Sequence, residues 1–161
     1  MAELRVGIIT SSDSCAAGER DDLSGRALTG LVQDRGWTVC DYHVCADDRE
    51  SLSASIIEIA DFDHADVILT TGGTGLGPRD VTPEATAAVC ERMAPGIAEY
   101  LRAESAKVTL RAMLSRGVAA LRGDTLVINF PGSEKAVRES FGFVADQLEH
   151  AVEMIAGGGH G

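Results

Sequence analysis

Apolar residues recur along this chain in two rhythms, one of a strand and one of a helix. Leu4-Arg-Val-Gly-Ile-Ile-Thr10 is a short β-rich apolar run that ends in the polar cluster Ser11-Ser-Asp-Ser14, as a strand does where it passes into a loop. From Ser24 to Gly36, Leu28, Leu31 and Val32 fall at helical spacing, with Ser24 as the expected N-cap and Gly36 as the C-terminal glycine. Trp37 to Val44 alternates as a strand would, and Ser51 to Ala60 returns to helical spacing through Leu52, Ile56, Ile57 and Ala60. Ala65 to Thr71 is nearly all apolar, which predicts a strand covered on both faces.

The second half repeats these signals. Thr82 is the expected cap of a helix whose first residue is Pro83 and whose early acid is Glu84, running to about Met93 before Ala94-Pro-Gly96 stops it. A further helix is expected over Ile97 to Lys107. Val118 to Phe130 reads as two strands turning at Gly123-Asp124, a β-hairpin, and Pro131-Gly-Ser133 precedes a long amphipathic helix from Glu134 to Ile155. The order β-α-β-α-β-α-α-ββ-α predicts a three-layer α/β/α sandwich with a mainly parallel sheet and an antiparallel hairpin at or near an edge. We expect one domain over residues 1–156 and a flexible Gly-rich tail over 157–161.

Composition narrows the function classes. The chain has 161 residues with 45% apolar content, enough for one domain with a real core. A formal charge of −11 argues against nonspecific nucleic-acid binding, which needs Lys and Arg to neutralise phosphates, yet leaves room for a small anionic ligand held locally. No apolar run approaches a membrane span, and MAELRVGIITSS lacks the basic and apolar segments of a signal peptide, so a cytoplasmic chain is expected. Cys15, Cys40, Cys45 and Cys90 form no C-x-x-C pair and have no zinc-like spacing with His, so buried free thiols are expected. His43, His64, His150 and His160 show no mutual ligand spacing and receive no site role.

The most informative stretch is TTGGTGLGPRDVTPEAT, Thr70 to Thr86. It is neither a P-loop nor a dinucleotide fingerprint: no G-K-[ST] follows, and Pro78 stands where a last glycine would fall. What remains is strand, glycine-rich turn and helix, in which exposed N–H groups can form a nest for an anion. The plainer alternative is a long turn that uses glycine for positive φ. Arg79 and Asp80 lie beside this turn, where one can neutralise a phosphate and the other can hold a metal ion on it.

Thr70-Thr-Gly-Gly-Thr-Gly-x-Gly-Pro-Arg-Asp-Val-Thr-Pro-Glu-Ala85 resembles the signature of the molybdopterin adenylyltransferases, the MogA type, which includes the G domains of gephyrin and of plant molybdenum-cofactor proteins. Ile9-Thr-Ser-Ser-Asp-Ser14, Ala112-Met-Leu-Ser-Arg116, Leu121 to Asn129 and Pro131-Gly-Ser133 extend the resemblance in order over nearly the whole chain. It implies transfer of AMP from Mg-ATP to the terminal phosphate of molybdopterin, with pyrophosphate released. Such chemistry needs positioning and charge cancellation rather than an activated hydroxyl, and no G-x-S-x-G is present.

The resemblance assigns Asp80 to Mg²⁺ and catalysis, and Asp47 as a second acidic catalytic position, with the adjacent Asp48 as the alternative. Gly72, Gly73, Thr74 and Gly75 are expected to donate to phosphate oxygens and Arg79 to neutralise one. Ser115 is expected near the pterin and its phosphate. Pro131, Gly132 and Ser133 open the last helix toward the ligand. Ser12 and Asp13 could serve pterin or nucleotide recognition, or cap a turn. A homotrimer and a molybdenum-insertion partner of the MoeA type follow from the resemblance alone. The MoaB branch shares these motifs, so a binding protein without turnover stays open, as does a CinA-type nucleotide-processing domain, whose glycine loop is typically followed by an Asp-Asp pair.

Overall fold

The structure, a computed structural model, describes residues 3–158. Its elements are β1 (Arg5–Ser11), α1 (Asp13–Ala16), α2 (Leu23–Asp34), β2 (Thr38–Cys45), α3 (Arg49–Ile57), β3 (Val67–Thr71), α4 (Thr82–Val89), β4 (Arg92–Met93), α5 (Pro95–Ala106), β5 (Ala119–Arg122), β6 (Thr125–Phe130) and α6 (Glu134–Ile155). All six strands form one sheet in the order β2-β1-β3-β6-β5-β4. The pairs β1–β2, β1–β3 and β3–β6 are parallel; β5–β6 and β4–β5 are antiparallel.

The period-2 pattern sorts side chains onto two faces. Val6, Ile8, Val67, Leu69, Leu126 and Ile128 point to one core, closed by Leu28 and Val32 of α2, Leu101 of α5 and Val137, Phe141 and Leu148 of α6. Ile9, Ile68 and Val127 point to the other, closed by Leu52 and Ile56 of α3 and Ala85 of α4. Two apolar layers against one sheet make the three-layer α/β/α fold.

Several boundaries differ from expectation. Asp22, not Ser24, caps α2: its carboxylate accepts from the Gly25 amide at 3.0 Å. Thr82 is the first residue of α4 and not its cap, because its hydroxyl donates to the Gly72 carbonyl at 2.9 Å and so serves the glycine loop. That helix stops at Val89, since Glu91 and Ala94 donate to the Leu121 and Ala119 carbonyls and draw Arg92–Met93 into the sheet. The hairpin therefore sits one strand in, and a two-residue strand forms the edge, short enough to offer little to another chain. α3 continues into a π-turn, Glu58–Phe62, and the cysteines are partly exposed rather than buried. Burial still pushes the Cys90 thiol up to about 11. Of the expected tail, residues 159–161 lie outside the described residues. Among the described residues no helix is long and apolar enough to cross a membrane.

Candidate functional site

Every parallel strand delivers its C-terminal end to the same side of the sheet. β1 runs into Ser12, β2 into Ala46–Asp48, β3 into Gly72 and β6 into Pro131. The chain goes from β1 to its neighbour on one side and then crosses to β3 on the other, so the β1 and β3 loops separate at a topological switch point, where α/β sheets open a crevice. A cleft of about 380 Å³ lies there, lined by Ser11, Ser12, Asp47, Gly72, Gly73, Asp80, Gly132 and Ser133 among others. A second, more apolar cavity of about 290 Å³ lies on the other side of the glycine loop, and Thr74, Gly75, Ser115 and Pro131 line it. Residues 72–80 thus form a strap between two compartments.

The strap's path is set by local constraints. Gly72 and Gly73 have φ of +92° and +70°, conformations that an L side chain resists. A Cβ on Gly72 would overlap the Ser11 carbonyl, and one on Gly73 the Thr82 hydroxyl. The Gly72 amide donates to the Phe130 carbonyl at 3.2 Å, so it is not a free donor, which corrects its expected phosphate role. The amides of Gly73, Thr74 and Gly75, and those of Gly132 and Ser133, have no protein acceptor among the described residues. Ser133 caps α6, its hydroxyl accepting from the Ala136 amide at 3.1 Å, and brings that helix's N-terminus to the cleft.

The acidic residues hold different posts. Asp80 lines the cleft and accepts from the Gly77 amide at 2.9 Å through Oδ2. Asp47 accepts from the Ser11 hydroxyl at 2.6 Å and from the Asp13 amide at 3.2 Å. Asp48 instead caps α3 through the Ser51 amide at 2.9 Å, so the fold separates the two neighbours into a cleft carboxylate and a helix cap. Arg79 is engaged: its guanidinium clasps Asp13 through Nε and Nη2 with contacts of 2.9 and 2.8 Å, and Nη1 has no protein acceptor among the described residues. That same guanidinium holds the Asp13 carboxyl below the usual carboxylate range. Ser12 caps α1, its hydroxyl accepting from the Cys15 amide at 3.2 Å, while still lining the cleft. Ser115 accepts from Gly117 N–H at 3.2 Å and faces the apolar cavity, not the cleft.

Sequence reasoning passed over Ser11, Asp22 and Arg116. Buried Asp22 accepts from the Thr10 hydroxyl at 2.7 Å and from Tyr42, tying the start of α2 to the sheet behind the cleft. Burial, and then the Asp22 carboxylate, push the Tyr42 phenol up. An Asp three residues before a helical glycine is a cap signal that could have found Asp22; nothing in spacing alone exposes Arg116. His43 contacts Asp41 at 2.9 Å, Glu58 at 3.3 Å and Ser55 at 2.9 Å, on β2 and the adjoining helical segment.

The family model described as a probable molybdopterin binding domain matches residues 7–150. A molybdopterin adenylyltransferase of Helicobacter pylori is 36% identical over 98% of this chain and 90% of its own length. The crystal structure of a molybdopterin biosynthesis enzyme MoaB from Thermus thermophilus is 42% identical with TM-score 0.89, covering 96% of this chain and 97% of that one. The Mog protein of Mycobacterium ulcerans superposes with TM-score 0.88 at 33% identity, covering 96% and 99% of the two chains. A CinA protein of Thermoplasma acidophilum, at 15% identity and TM-score 0.68, shares the fold alone.

Proposed function

The chain belongs to the molybdopterin-binding domain family of molybdenum cofactor biosynthesis, and from that premise we propose that it is a molybdopterin adenylyltransferase. A phosphate-monoester oxygen of molybdopterin attacks the α-phosphorus of ATP. A new P–O–P link to AMP forms as the bond to the β-phosphate oxygen breaks, and pyrophosphate leaves. The observation that carries this reading is the set of acceptor-free amides at Gly73, Thr74 and Gly75 on a strap that also bears Asp80.

Both reactants are anions, so the chain's task is to bring them in line and offset their charge. The Gly73–Gly75 amides, with those at the start of α6, supply N–H donors to phosphate oxygens. Asp80 and Asp47 add carboxylates to the cleft that Gly73, Gly132 and Ser133 line, and by themselves repel a triphosphate, while Thr74 and Gly75 border the apolar cavity across the strap. The donor set fits a magnesium ion: Asp80 Oδ1 accepts from no protein donor among the described residues, and carboxylate oxygens suit a hard cation that retains waters and phosphate ligands. When bound, magnesium supplies neutralisation of phosphoryl charge. Asp47, braced by Ser11 and Asp13, orients the polar floor of the cleft. Arg79, held on Asp13 through Nε and Nη2, offers its remaining N–H donors to a phosphate. Ser115 and the apolar cavity beyond the strap take the pterin side.

The reading sets the reaction in the cytoplasm, where ATP is supplied, and passes the product to a molybdenum-insertion enzyme. It includes the homotrimer: the groove between α5 and α6 leaves Tyr100 and Met154 50% and 55% exposed, an apolar face available to another copy. Incubating the protein with Mg-ATP and molybdopterin is expected to release pyrophosphate and leave an adenylylated pterin. Binding of both substrates without pyrophosphate would identify a binding protein instead.

A further inference from the structure

Neither compartment counts Arg116 among its lining residues, yet this side chain grips the strap between them. Its backbone N–H donates to the Thr74 carbonyl at 2.7 Å. Its Nε donates to the Gly75 carbonyl at 2.8 Å, and Nη2 to the Asp80 carbonyl at 2.7 Å. The same fork reaches Glu84 on α4 at 2.6 and 3.2 Å. One guanidinium therefore bridges the middle of the glycine strap, at Gly75, and its far end, at Asp80, and anchors both to the helix that follows.

The direction of these bonds matters more than their number. A trans peptide unit points its C=O and the next residue's N–H to opposite sides. Drawing the Thr74 carbonyl onto Arg116 therefore turns the Gly75 N–H away from it, and that amide has no protein acceptor among the described residues. Thr82 does the same one unit earlier: its amide takes the Gly73 carbonyl at 3.1 Å and turns the Thr74 N–H outward. At the far end, the grip on the Asp80 carbonyl fixes the backbone from which the cleft carboxylate projects. The planar fork suits the grip on the Gly75 and Asp80 carbonyls, since its donors lie in fixed directions; a lysine ammonium has no such plane, whereas the main-chain bond to Thr74 survives substitution by lysine or alanine.

We propose that Arg116 is the positioning residue of this site: its guanidinium, by holding the Gly75 and Asp80 carbonyls from outside, fixes the half of the strap that carries the Asp80 carboxylate and aims that carboxylate at the phosphates, while its main-chain N–H sets the Gly75 amide through the Thr74 carbonyl. The inference rests on the adenylyl-transfer reading above. It makes Arg116 a residue that acts through Asp80 and the strap without touching substrate.

Wild type, Arg116→Lys, Arg116→Ala and Asp80→Asn are compared in full-length protein with molybdopterin and ATP across a magnesium titration, alongside thermal unfolding. Arg116→Lys keeps the charge and is expected to fold as wild type does. Its kcat is expected to fall by about 10²-fold, the loss that a small misplacement of reacting groups produces, with ATP KM little changed and more magnesium needed for half-maximal rate. The Arg116 side chain is 34% exposed, so added guanidinium ion can reach the site left by Arg116→Ala and is expected to restore part of its turnover but none in Asp80→Asn. A cooperatively folded Arg116→Lys protein with wild-type kcat and an unshifted magnesium curve overturns the positioning role while leaving adenylyl transfer intact. Wild type that makes no pyrophosphate overturns both. Should Arg116→Ala fail to fold, the lysine variant alone decides.

Discussion

Asp13 and Asp47 clasp each other through their main chains: the Asp47 amide donates to Asp13 Oδ1 at 2.9 Å, and the Asp13 amide returns a bond to Asp47 Oδ2 at 3.2 Å. This reciprocal pair joins the loops after β1 and β2 and leaves Asp48 to cap α3. The two adjacent aspartates should therefore answer differently to substitution. Asp48→Ala is expected to lower stability by about 1 kcal/mol, the usual cost of a lost N-cap, with turnover retained. Asp47→Asn is expected to reduce turnover with little change in unfolding. Thermal melts and pyrophosphate release on the two proteins check both halves, and the reverse pattern would exchange the roles.

Asp80→Asn keeps the shape of the side chain, and its amide oxygen can still accept from Gly77 N–H, the bond that now measures 2.9 Å. It loses the negative charge that would hold magnesium. Turnover is expected to fall at least ~100-fold, in line with the several kcal/mol that a metal contributes to phosphoryl-charge stabilisation. ATP affinity is expected to survive better than turnover. Steady-state kinetics with calorimetric ATP binding measures the split, and an unchanged kcat removes Asp80 from the mechanism.

Gly75 is the cleanest probe of the strap. Gly72 and Gly73 have positive φ, so a side chain on either strains the fold itself. Gly75 does not, but a Cβ there would lie 2.9 Å from Asp80 Oδ2 and press directly on the cleft carboxylate. Gly75→Ala is expected to fold and to lose most of its turnover. Leu76→Ala, one residue on and 67% exposed, is expected to behave as wild type. Equal activity in both variants would reduce the strap to a glycine-rich turn.

Arg116 donates to Glu84 and thereby holds its carboxyl below its ordinary value of 4.5. A carboxylate with a depressed folded-state pKa stabilises the fold above its unfolded pKa, and that contribution disappears as pH falls through the lower folded value. Wild type is expected to melt above Glu84→Gln at pH 7, and the gap is expected to narrow once pH drops below about 4.5. Because Glu84 is 43% exposed, the gap should be small and sensitive to salt. A gap that widens on acidification contradicts the assignment.

Much of the fold was legible in the sequence because its signals are local and repeated. The alternation in Val6, Ile8 and Ile9 and the helical spacing in Leu28 and Val32 each follow from one backbone period, and burying both faces of β3 requires layers on either side. The glycine strap and the cluster Ser11–Ser14 were legible as strand exits, and the resemblance pointed to Asp80 and to Asp47 with Asp48 as its alternative. What the chain alone did not settle were choices between neighbours. Asp22 or Ser24 as a cap, Asp47 or Asp48 in the cleft, Val89 or Met93 as a helix end: each pair has nearly the same local propensity. The decision came from partners far along the chain, such as Thr10 and Tyr42 for Asp22, Ser11 for Asp47, and the Leu121 and Ala119 carbonyls for the strand that ended the helix. Arg79 and Arg116 show the same limit most plainly. Arg79 lies within the strap in sequence and Arg116 far beyond it, yet the nearer is spent on Asp13 and the distant one grips carbonyls at positions 74, 75 and 80, because a hydrogen bond is set by direction in space and sequence spacing carries no direction across such separations.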